Sequence, residues 1–240
     1  MKPYRINKTI LMASCVFALG ACQTTSSTST PPQSRSSKID NAMQRAAISA
    51  KRSGNANKSL SVLEQIYKRN SNNEQSAIDY AAALRRNDYV NRASIIMEPF
   101  ATDPEASSAS KTEFSAIMLA KGDYKLAERY AQQAVTRDET NPEAYHFLGV
   151  ALDAQSEHEK AERAFRKALD LWDGDPTSIM NNLALNLASQ GHLDEAADIL
   201  QKAREVSPNR EEIERNLRII TALQQSNGIP VPKPKKKPTI

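Results

Sequence analysis

The sequence predicts an all-α solenoid of about five helix pairs with a capping helix at its C-terminal end. Small residues recur every 34 or 35 positions along the chain, at Ser59, Ala93, Ala127, Ala161 and Ala196. A second small residue stands twelve positions before each of these, at Ala47, Ala81, Ser115, Gly149 and Ala184. Apolar residues at three- and four-residue steps accompany both series, and no stretch of the sequence alternates as a strand would. This pattern indicates stacked helix pairs that touch at the small residues.

The breaks between the helical segments carry glycines and capping residues. Gly54, Gly122 and Gly191 fall within the pairs, where a residue that can adopt positive φ ends the first helix. Between pairs, a capping side chain precedes a proline that suits the first helical turn. These dipeptides are Asn141-Pro142, Asp175-Pro176 and Ser207-Pro208. We therefore expect a helix to begin at each of them.

Residues 1–21 have the pattern of a secretory signal peptide. Lys2, Arg5 and Lys8 precede an uncharged apolar run from Thr9 to Ala21. A helix that crosses a bilayer needs about 20 apolar residues. This run is too short for a permanent span and instead suits the apolar region of a signal.

The run ends at Leu19-Gly20-Ala21-Cys22, which resembles the lipobox of bacterial lipoproteins. In that family the cysteine is lipidated and the chain is cut before it, so the resemblance implies a membrane anchor on Cys22. The alternatives are an ordinary signal with a chance cysteine, or Cys15 as a competing site. If Cys22 is the lipidated residue, Cys15 is removed with the signal. Gln23 in place of aspartate implies, in the same family, export to the outer membrane. The predicted location is therefore the periplasmic face of the outer membrane of a Gram-negative bacterium.

Charge excludes one class of partner. The sequence has 32 basic and 28 acidic residues, and the predicted signal removes three basic residues and no acid. Four further basic residues belong to the C-terminal segment, at Lys233, Lys235, Lys236 and Lys237. A body this close to neutral is not expected to bind nucleic acid. With Cys22 lipidated, no second cysteine remains for an intramolecular disulfide.

Two segments flank the predicted repeat domain, which spans residues 39–226. Residues 22–38 comprise the lipidated cysteine and a flexible linker rich in serine and threonine. Residues 227–240 are rich in proline and lysine and are predicted to be disordered. We expect the lysines there either to contact cell-wall polymer or anionic lipid, or to form a solvated tail without a partner.

The repeat resembles the 34-residue tetratricopeptide repeat (TPR). The segment "PEAYHFLGVALDAQSEHEKAERAFRKALDL" matches the family's aromatic, Leu-Gly and alanine positions at Tyr145, Leu148, Gly149, Ala161, Phe165 and Ala168. In the preceding repeat Lys111 occupies the place of Tyr145. The final helix, "REEIERNLRIITALQQ", has a charged face and is predicted to cap the stack.

The TPR resemblance implies a concave groove lined by the first helix of each pair. By the family's register, the predicted peptide-binding residues are Arg85, Arg86, Leu119, His146, Val150, Asp153, Asn181 and Leu185. A mixed groove with exposed Val150 and Leu185 would suit a peptide or helix from another protein. The alternative for each residue is that it packs under a neighbouring helix.

No sequence pattern predicts catalysis, a metal or a cofactor. The histidines, His146, His158 and His192, have no metal-ligand spacing and follow no glycine-rich phosphate loop. We therefore expect a non-enzymatic protein without catalytic residues, metal or cofactor. An enzyme hidden in the repeat scaffold would need a closed pocket with converging polar groups.

Among TPR lipoproteins, the sequence resembles the TadD-type proteins of the tight-adherence (Flp) pilus system. The similarity is carried by "IMNNLALNLASQGHLDEAADILQKA" and "PNREEIERNLRII", and extends through most of residues 40–226. It implies that the groove binds a secretin or another pilus-assembly subunit and supports pilus biogenesis. Two alternatives stay open: a pilotin of type IV pili, which escorts a secretin, and an adaptor that recruits peptidoglycan-processing enzymes.

Overall fold

A computed structural model describes residues 35–228, and the regular secondary structure in this range is entirely helical. The helices are α1 (Arg35–Arg52), α2 (Ala56–Arg69), α3 (Glu74–Arg86), α4 (Val90–Ala101), α5 (Ser108–Lys121), α6 (Tyr124–Arg137), α7 (Pro142–Asp153), α8 (His158–Leu171), α9 (Thr177–Ser189), α10 (Leu193–Val206) and α11 (Glu211–Ser226). They form five pairs followed by a single helix. The predicted fold class is therefore confirmed.

Several sequence-based predictions lie outside the described residues. They concern the signal peptide over 1–21, the lipidated Cys22, most of the linker over 22–38, and the tail from residue 229 onward. Helix α1 begins at Arg35, before the predicted start of the repeat domain at residue 39.

The helix pairs stack in two layers. Each helix packs against the next along the chain, and from α3 onward each odd-numbered helix also contacts the next odd-numbered one. Across the described chain, the even-numbered helices make no such contacts with one another. The odd-numbered helices therefore form the inner layer of a curved stack, and the even-numbered helices form the outer layer.

The small residues of both series lie where helices touch. All ten are buried, and Ser115 Oγ donates a hydrogen bond of 2.8 Å to the carbonyl oxygen of Ala127, which joins the two series within one pair. In the next pair, a β-carbon on Gly149 would lie 2.6 Å from Cδ1 of Phe165. Their burial confirms the predicted repeat register.

Each pair turns through a residue with positive φ. Gly54, Gly122 and Gly191 have φ angles of 72°, 77° and 83°, as the sequence predicted. Asp88 and Ser156 take the equivalent places in the other two pairs, with φ angles of 65° and 64°. Sequence reasoning missed these two turns because neither residue type marks a left-handed position as glycine does.

Two of the three predicted helix starts are confirmed, but only the first has a side-chain N-cap, because the N-cap residue of α9 is Pro176. Asn141 Oδ1 accepts a hydrogen bond of 3.1 Å from the backbone N–H of Ala144, and α7 begins at Pro142. Asp175 Oδ1 accepts one of 2.9 Å from the backbone N–H of Thr177, where α9 begins. These bonds satisfy N–H groups that the first helical turn leaves without a partner.

The helix start predicted at Ser207-Pro208 is wrong. Helix α11 begins at Glu211, after a turn in which Asn209 has a φ of 71°. The Ser207 hydroxyl donates instead to Asp175 Oδ2 at 3.0 Å. It links two inter-pair connections rather than capping the last helix.

The buried side chains form two clusters along the stack. Tyr80 and Met97 belong to the N-terminal cluster, and Phe165 belongs to the C-terminal one. Helix α11 completes the second cluster with Ile213 and Ile220, each 1% exposed. It covers the end of the core, as predicted for a capping helix.

Candidate functional site

The candidate site is the concave face, the side of the inner helices that points away from the outer layer. In α9 this face is a stripe of accessible residues at helical spacing: Ser178, Asn181, Leu185 and Ser189. The other side of α9 is buried against α8 and α10. The inner helices place equivalent stripes side by side, which produces one extended surface.

All eight residues predicted to line the groove lie on inner helices. Arg86 and Leu185 are exposed, and the others are half-buried: Arg85, Leu119, His146, Val150, Asp153 and Asn181. Leu119 and Val150 pack against the two core clusters. The four half-buried polar side chains have hydrogen-bond partners within the protein. Their role in binding stays a prediction.

Arg85 forms a bidentate ion pair with Glu113 of the next inner helix. Its Nε donates to Oε1 at 2.8 Å and its Nη2 donates to Oε2 at 2.9 Å, with both side chains largely shielded from solvent. The Arg85 guanidinium carbon also lies 5.9 Å from the centroid of the Phe147 ring on α7. One planar cation therefore joins α3, α5 and α7.

The concave face is filled at its middle. Residues 110–118 of α5 are all buried, and α5 contacts both α3 and α7. Ala82 and Ala116 occupy corresponding places on α3 and α5, and short side chains let these inner helices approach closely. The surface of α1 and α3 is called the N-terminal part of the face, and the surface of α7, α9 and α11 is called the C-terminal part.

Polar pairs join neighbouring inner helices in the C-terminal part. Asn182 Nδ2 donates to Nε2 of His146 at 2.9 Å, and Asn216 Nδ2 donates to Oδ1 of Asn181 at 2.7 Å. Burial lowers the pKa of His146 to about 4. The imidazole is therefore neutral at neutral pH, with Nε2 as the acceptor.

Asp153 ties the end of α7 to both α8 and α9. Its Oδ1 lies 2.7 Å from Nδ1 of His158 and accepts a hydrogen bond of 2.7 Å from Nδ2 of Asn186. The same amide of Asn186 donates to the carbonyl oxygen of His158 at 3.0 Å. Asp153 lies on an inner helix as predicted, but its carboxylate binds His158 and Asn186 within the protein.

Apolar side chains line the C-terminal part of the concave face. Leu185 is 39% exposed, and Ile219, which takes the corresponding place on α11, is 51% exposed. Leu223 lies one turn after Ile219 and is also exposed. Val150 holds the equivalent place on α7 and is half-buried. Sequence reasoning missed Ile219 and Leu223, although extending the register by one further repeat would have found both.

A cavity of about 480 Å³ lies on the N-terminal part of the concave face and extends past α5 to Glu143 of α7. Ile48 and Ala82 contribute apolar surface to it, and Lys51, Arg86 and Glu143 contribute charges. Its floor includes the pair in which Gln44 Nε2 donates to Asp79 Oδ2 at 2.6 Å. This part is therefore more polar than the C-terminal part.

Within the described range, no group of three or more His, Cys, Asp or Glu side chains could hold a metal ion. Nor is any helix between residues 35 and 228 both long enough and apolar enough to cross a bilayer.

Residues 143–209 match the tetratricopeptide repeat family. No match was found among the curated proteins. Among solved structures, a thermophilic TPR protein from Thermus thermophilus is 20% identical with a TM-score of 0.67, over 76% of this chain and 99% of that one.

Two further solved structures have the same arrangement. YrrB, described as a TPR protein with an unusual peptide-binding site, is 15% identical with a TM-score of 0.52, over 76% of this chain and 95% of its own. MamA from Desulfovibrio magneticus RS-1 is 21% identical with a TM-score of 0.53, over 72% of this chain and 97% of its own. Together with the two-layered stack, these likenesses show that residues 35–228 adopt the TPR fold.

Proposed function

We propose that this chain is a non-enzymatic, lipid-anchored TPR protein that binds a secretin or another pilus-assembly component on its concave face. In this role it supports Flp/Tad pilus biogenesis at the outer membrane. The observation that carries the proposal is the pair of exposed apolar side chains, Leu185 and Ile219, at corresponding places on successive inner helices. Contact with an apolar partner segment would remove both from water.

The chemistry of this surface favours a polypeptide ligand. Leu185, Ile219 and Leu223 supply apolar contacts on α9 and α11, and Ser178 and Ser189 border them with hydroxyl groups. An amphipathic helix or an extended peptide places apolar anchors at comparable intervals. The peptide-binding site named for YrrB supports the view that this fold can serve such a ligand.

The class of partner follows from the sequence resemblance. The TadD-type similarity of the last repeats and the lipobox-like Leu19-Gly20-Ala21-Cys22 both suit an outer-membrane assembly factor. The anchor would hold the TPR stack on the periplasmic face of the membrane into which secretins assemble.

The experiment replaces the two anchor residues with glutamate. Leu185→Glu combined with Ile219→Glu should weaken partner binding by about tenfold or more, because both carboxylates would have to lose water inside an apolar contact. The measurement is co-purification of secretin with the protein, together with the amount of secretin multimer and surface pili.

The matched control is Ile95→Glu, because Ile95 is 70% exposed and lies on the outer helix α4. It should leave secretin multimers and pili unchanged, and circular dichroism should show native helicity for all variants. Normal pili in the folded double variant would contradict the concave site. Normal pili after deletion of the gene would contradict the pilus role, and co-purification of peptidoglycan hydrolases would then support the adaptor alternative.

A further inference from the structure

Lys111 is a buried cation outside the concave face. Its side chain lies between α5, the end of α4 and α6, and the residue is 6% exposed. Nζ donates to the carbonyl oxygen of Ala101 at 3.2 Å and to Oε1 of Gln133 at 3.1 Å. Both acceptors are neutral. Tyr145 holds the equivalent position in the next repeat, so Lys111 replaces an aromatic ring with a positively charged side chain at a packed position.

The ammonium group of Lys111 borders a cleft of about 680 Å³. Arg129 and Arg137 of α6 also line the cleft, and Asp103 contributes a carboxylate. The guanidinium of Arg137 donates to the carbonyl oxygens of Pro104 and Glu105, and its Nη1 lies 3.6 Å from the Glu105 carboxylate, which holds it at the rim. Three cationic side chains and one anionic side chain line the space, and Glu105 adds a second carboxylate beside Arg137.

Lys111 has no ion-pair partner among the described residues, although its Nζ lies 5.8 Å from the centroid of the Tyr130 ring. Burial lowers the pKa of Lys111, the nearby Arg137 charge lowers it further, and Asp103 acts in the opposite direction. A buried cation without a charged partner is unfavourable, and an anion bound beside it would offset that cost. Binding of an anion in the cleft should therefore stabilise the folded protein.

We propose that this cleft binds the phosphate group of a small molecule or of a lipid headgroup. Lys111 uses two of its three N–H groups on neutral acceptors and otherwise faces the Tyr130 ring, so its third N–H has no oxygen acceptor among the described residues. Arg129, whose guanidinium lies over the same ring, adds a second cationic donor group at the cleft. The side-chain amides of Gln132 and Gln133 supply further donors around the same space. A tetrahedral anion with several oxygens can engage these donors together, whereas a carboxylate has only two oxygens.

The test measures how phosphate changes the thermal unfolding midpoint of the full chain. Wild-type protein should be stabilised by sodium phosphate in a saturable way, beyond sodium chloride of equal ionic strength. Lys111→Met keeps the length and packing of the side chain and should weaken apparent phosphate affinity by about tenfold or more. Arg129→Gln should also weaken the apparent phosphate affinity. Arg129 is exposed at the rim of the cleft, so this variant should fold even if methionine at position 111 disturbs the core.

The matched control is Lys125→Gln, which removes one positive charge from the exposed side of the same helix α6. Phosphate also stabilises folded proteins by exclusion from their surface, and this general effect should be equal in all variants. The proposal is overturned if Lys111→Met and Arg129→Gln respond to phosphate as wild type does, or if acetate stabilises wild type as strongly as phosphate.

A second arm distinguishes the two sources of the phosphate group. Glycerophosphoglycerol, the water-soluble headgroup of phosphatidylglycerol, is titrated beside inorganic phosphate. Tighter binding of the headgroup supports a lipid ligand, and tighter binding of inorganic phosphate supports a free small anion. In either case the preferred ligand should lose affinity in Lys111→Met and keep it in Lys125→Gln.

Discussion

Gly149 on α7 faces the ring of Phe165 on α8 so closely that a β-carbon would lie 2.6 Å from both Cδ1 and Cε1. Replacing a helical glycine with alanine ordinarily stabilises a protein by about 1 kcal/mol. Here the overpacking cost of about 1–3 kcal/mol should exceed that gain, because Phe165 is 1% exposed and cannot swing aside. We expect Gly149→Ala to lower the free energy of unfolding, measured by chemical denaturation.

A compensating change tests the cause. In a Phe165→Leu background the smaller side chain leaves room for the new methyl group, so Gly149→Ala should be neutral or stabilising there. If Gly149→Ala stabilises the wild-type protein, the contact with the ring is not what requires glycine.

Ala161 marks the corresponding contact from the second helix of the same pair. It is 0% exposed, so Ala161→Leu should destabilise the protein by about 1–3 kcal/mol through overpacking. The comparison is Ala222→Leu, which makes the same change at an exposed place on α11. Equal melting temperatures for the two variants would contradict the repeat register.

These contacts were predictable because they recur. Ala93, Ala127 and Ala161 stand 34 residues apart, and each of them is buried. The same helix contact requires a small residue in every repeat, so the requirement is visible in the sequence as a periodic pattern. The contact between Asn182 and His146 has a counterpart one repeat later, between Asn216 and Asn181, but the acceptor changes from an imidazole to an amide. The Arg85–Glu113 ion pair has no such counterpart among the described residues, and only the folded stack brings its two side chains together.

The candidate site was predicted less completely for the same reason. The register placed Leu185 correctly on the inner layer, yet Val150, at the equivalent place, is half-buried and packs against the core. Local crowding of the helices, which decides this difference, does not appear in the spacing. The hydrogen bond between Ser207 and Asp175, which stand 32 residues apart, likewise cannot be seen in the spacing.

The turns give a prediction about backbone strain. Ser156 has a φ of 64°, a conformation that costs a non-glycine residue about 1–2 kcal/mol. Ser156→Gly removes this cost but increases the conformational entropy of the unfolded chain. The net effect should be a rise of about 0.5 kcal/mol in the free energy of unfolding. Gly122→Ala should lower it by about 1 kcal/mol. No atom lies within 4 Å of a β-carbon there, so any loss is due to the backbone. If backbone strain is the cause, Ser156→Gly must raise the free energy of unfolding and Gly122→Ala must lower it.

The lipid anchor is tested at Cys22. Cys22→Ser should abolish incorporation of labelled fatty acid and leave an uncleaved or soluble form, because the lipidated thiol is absent. Cys15→Ser should change neither the labelling nor the processing. Labelling that survives the loss of Cys22 would contradict the proposed anchor.

His146 predicts how stability depends on pH. Its pKa is lowered by burial from 6.5 to about 4, so between these values the unfolded chain binds a proton that the folded protein does not bind. Stability therefore falls as the pH decreases through this window and levels off below it, by about 3 kcal/mol in total at about 1.4 kcal/mol per pH unit.

His146→Gln removes the titrating group and retains an oxygen that can accept from Asn182. The loss of stability between about pH 7.5 and about pH 5 should be smaller in this variant than in wild type by about 2 kcal/mol. Because carboxylates titrate in both proteins, the difference between the variant and wild type isolates the contribution of His146. An unchanged pH dependence in His146→Gln would show that the imidazole is protonated as readily in the folded stack as in the unfolded chain.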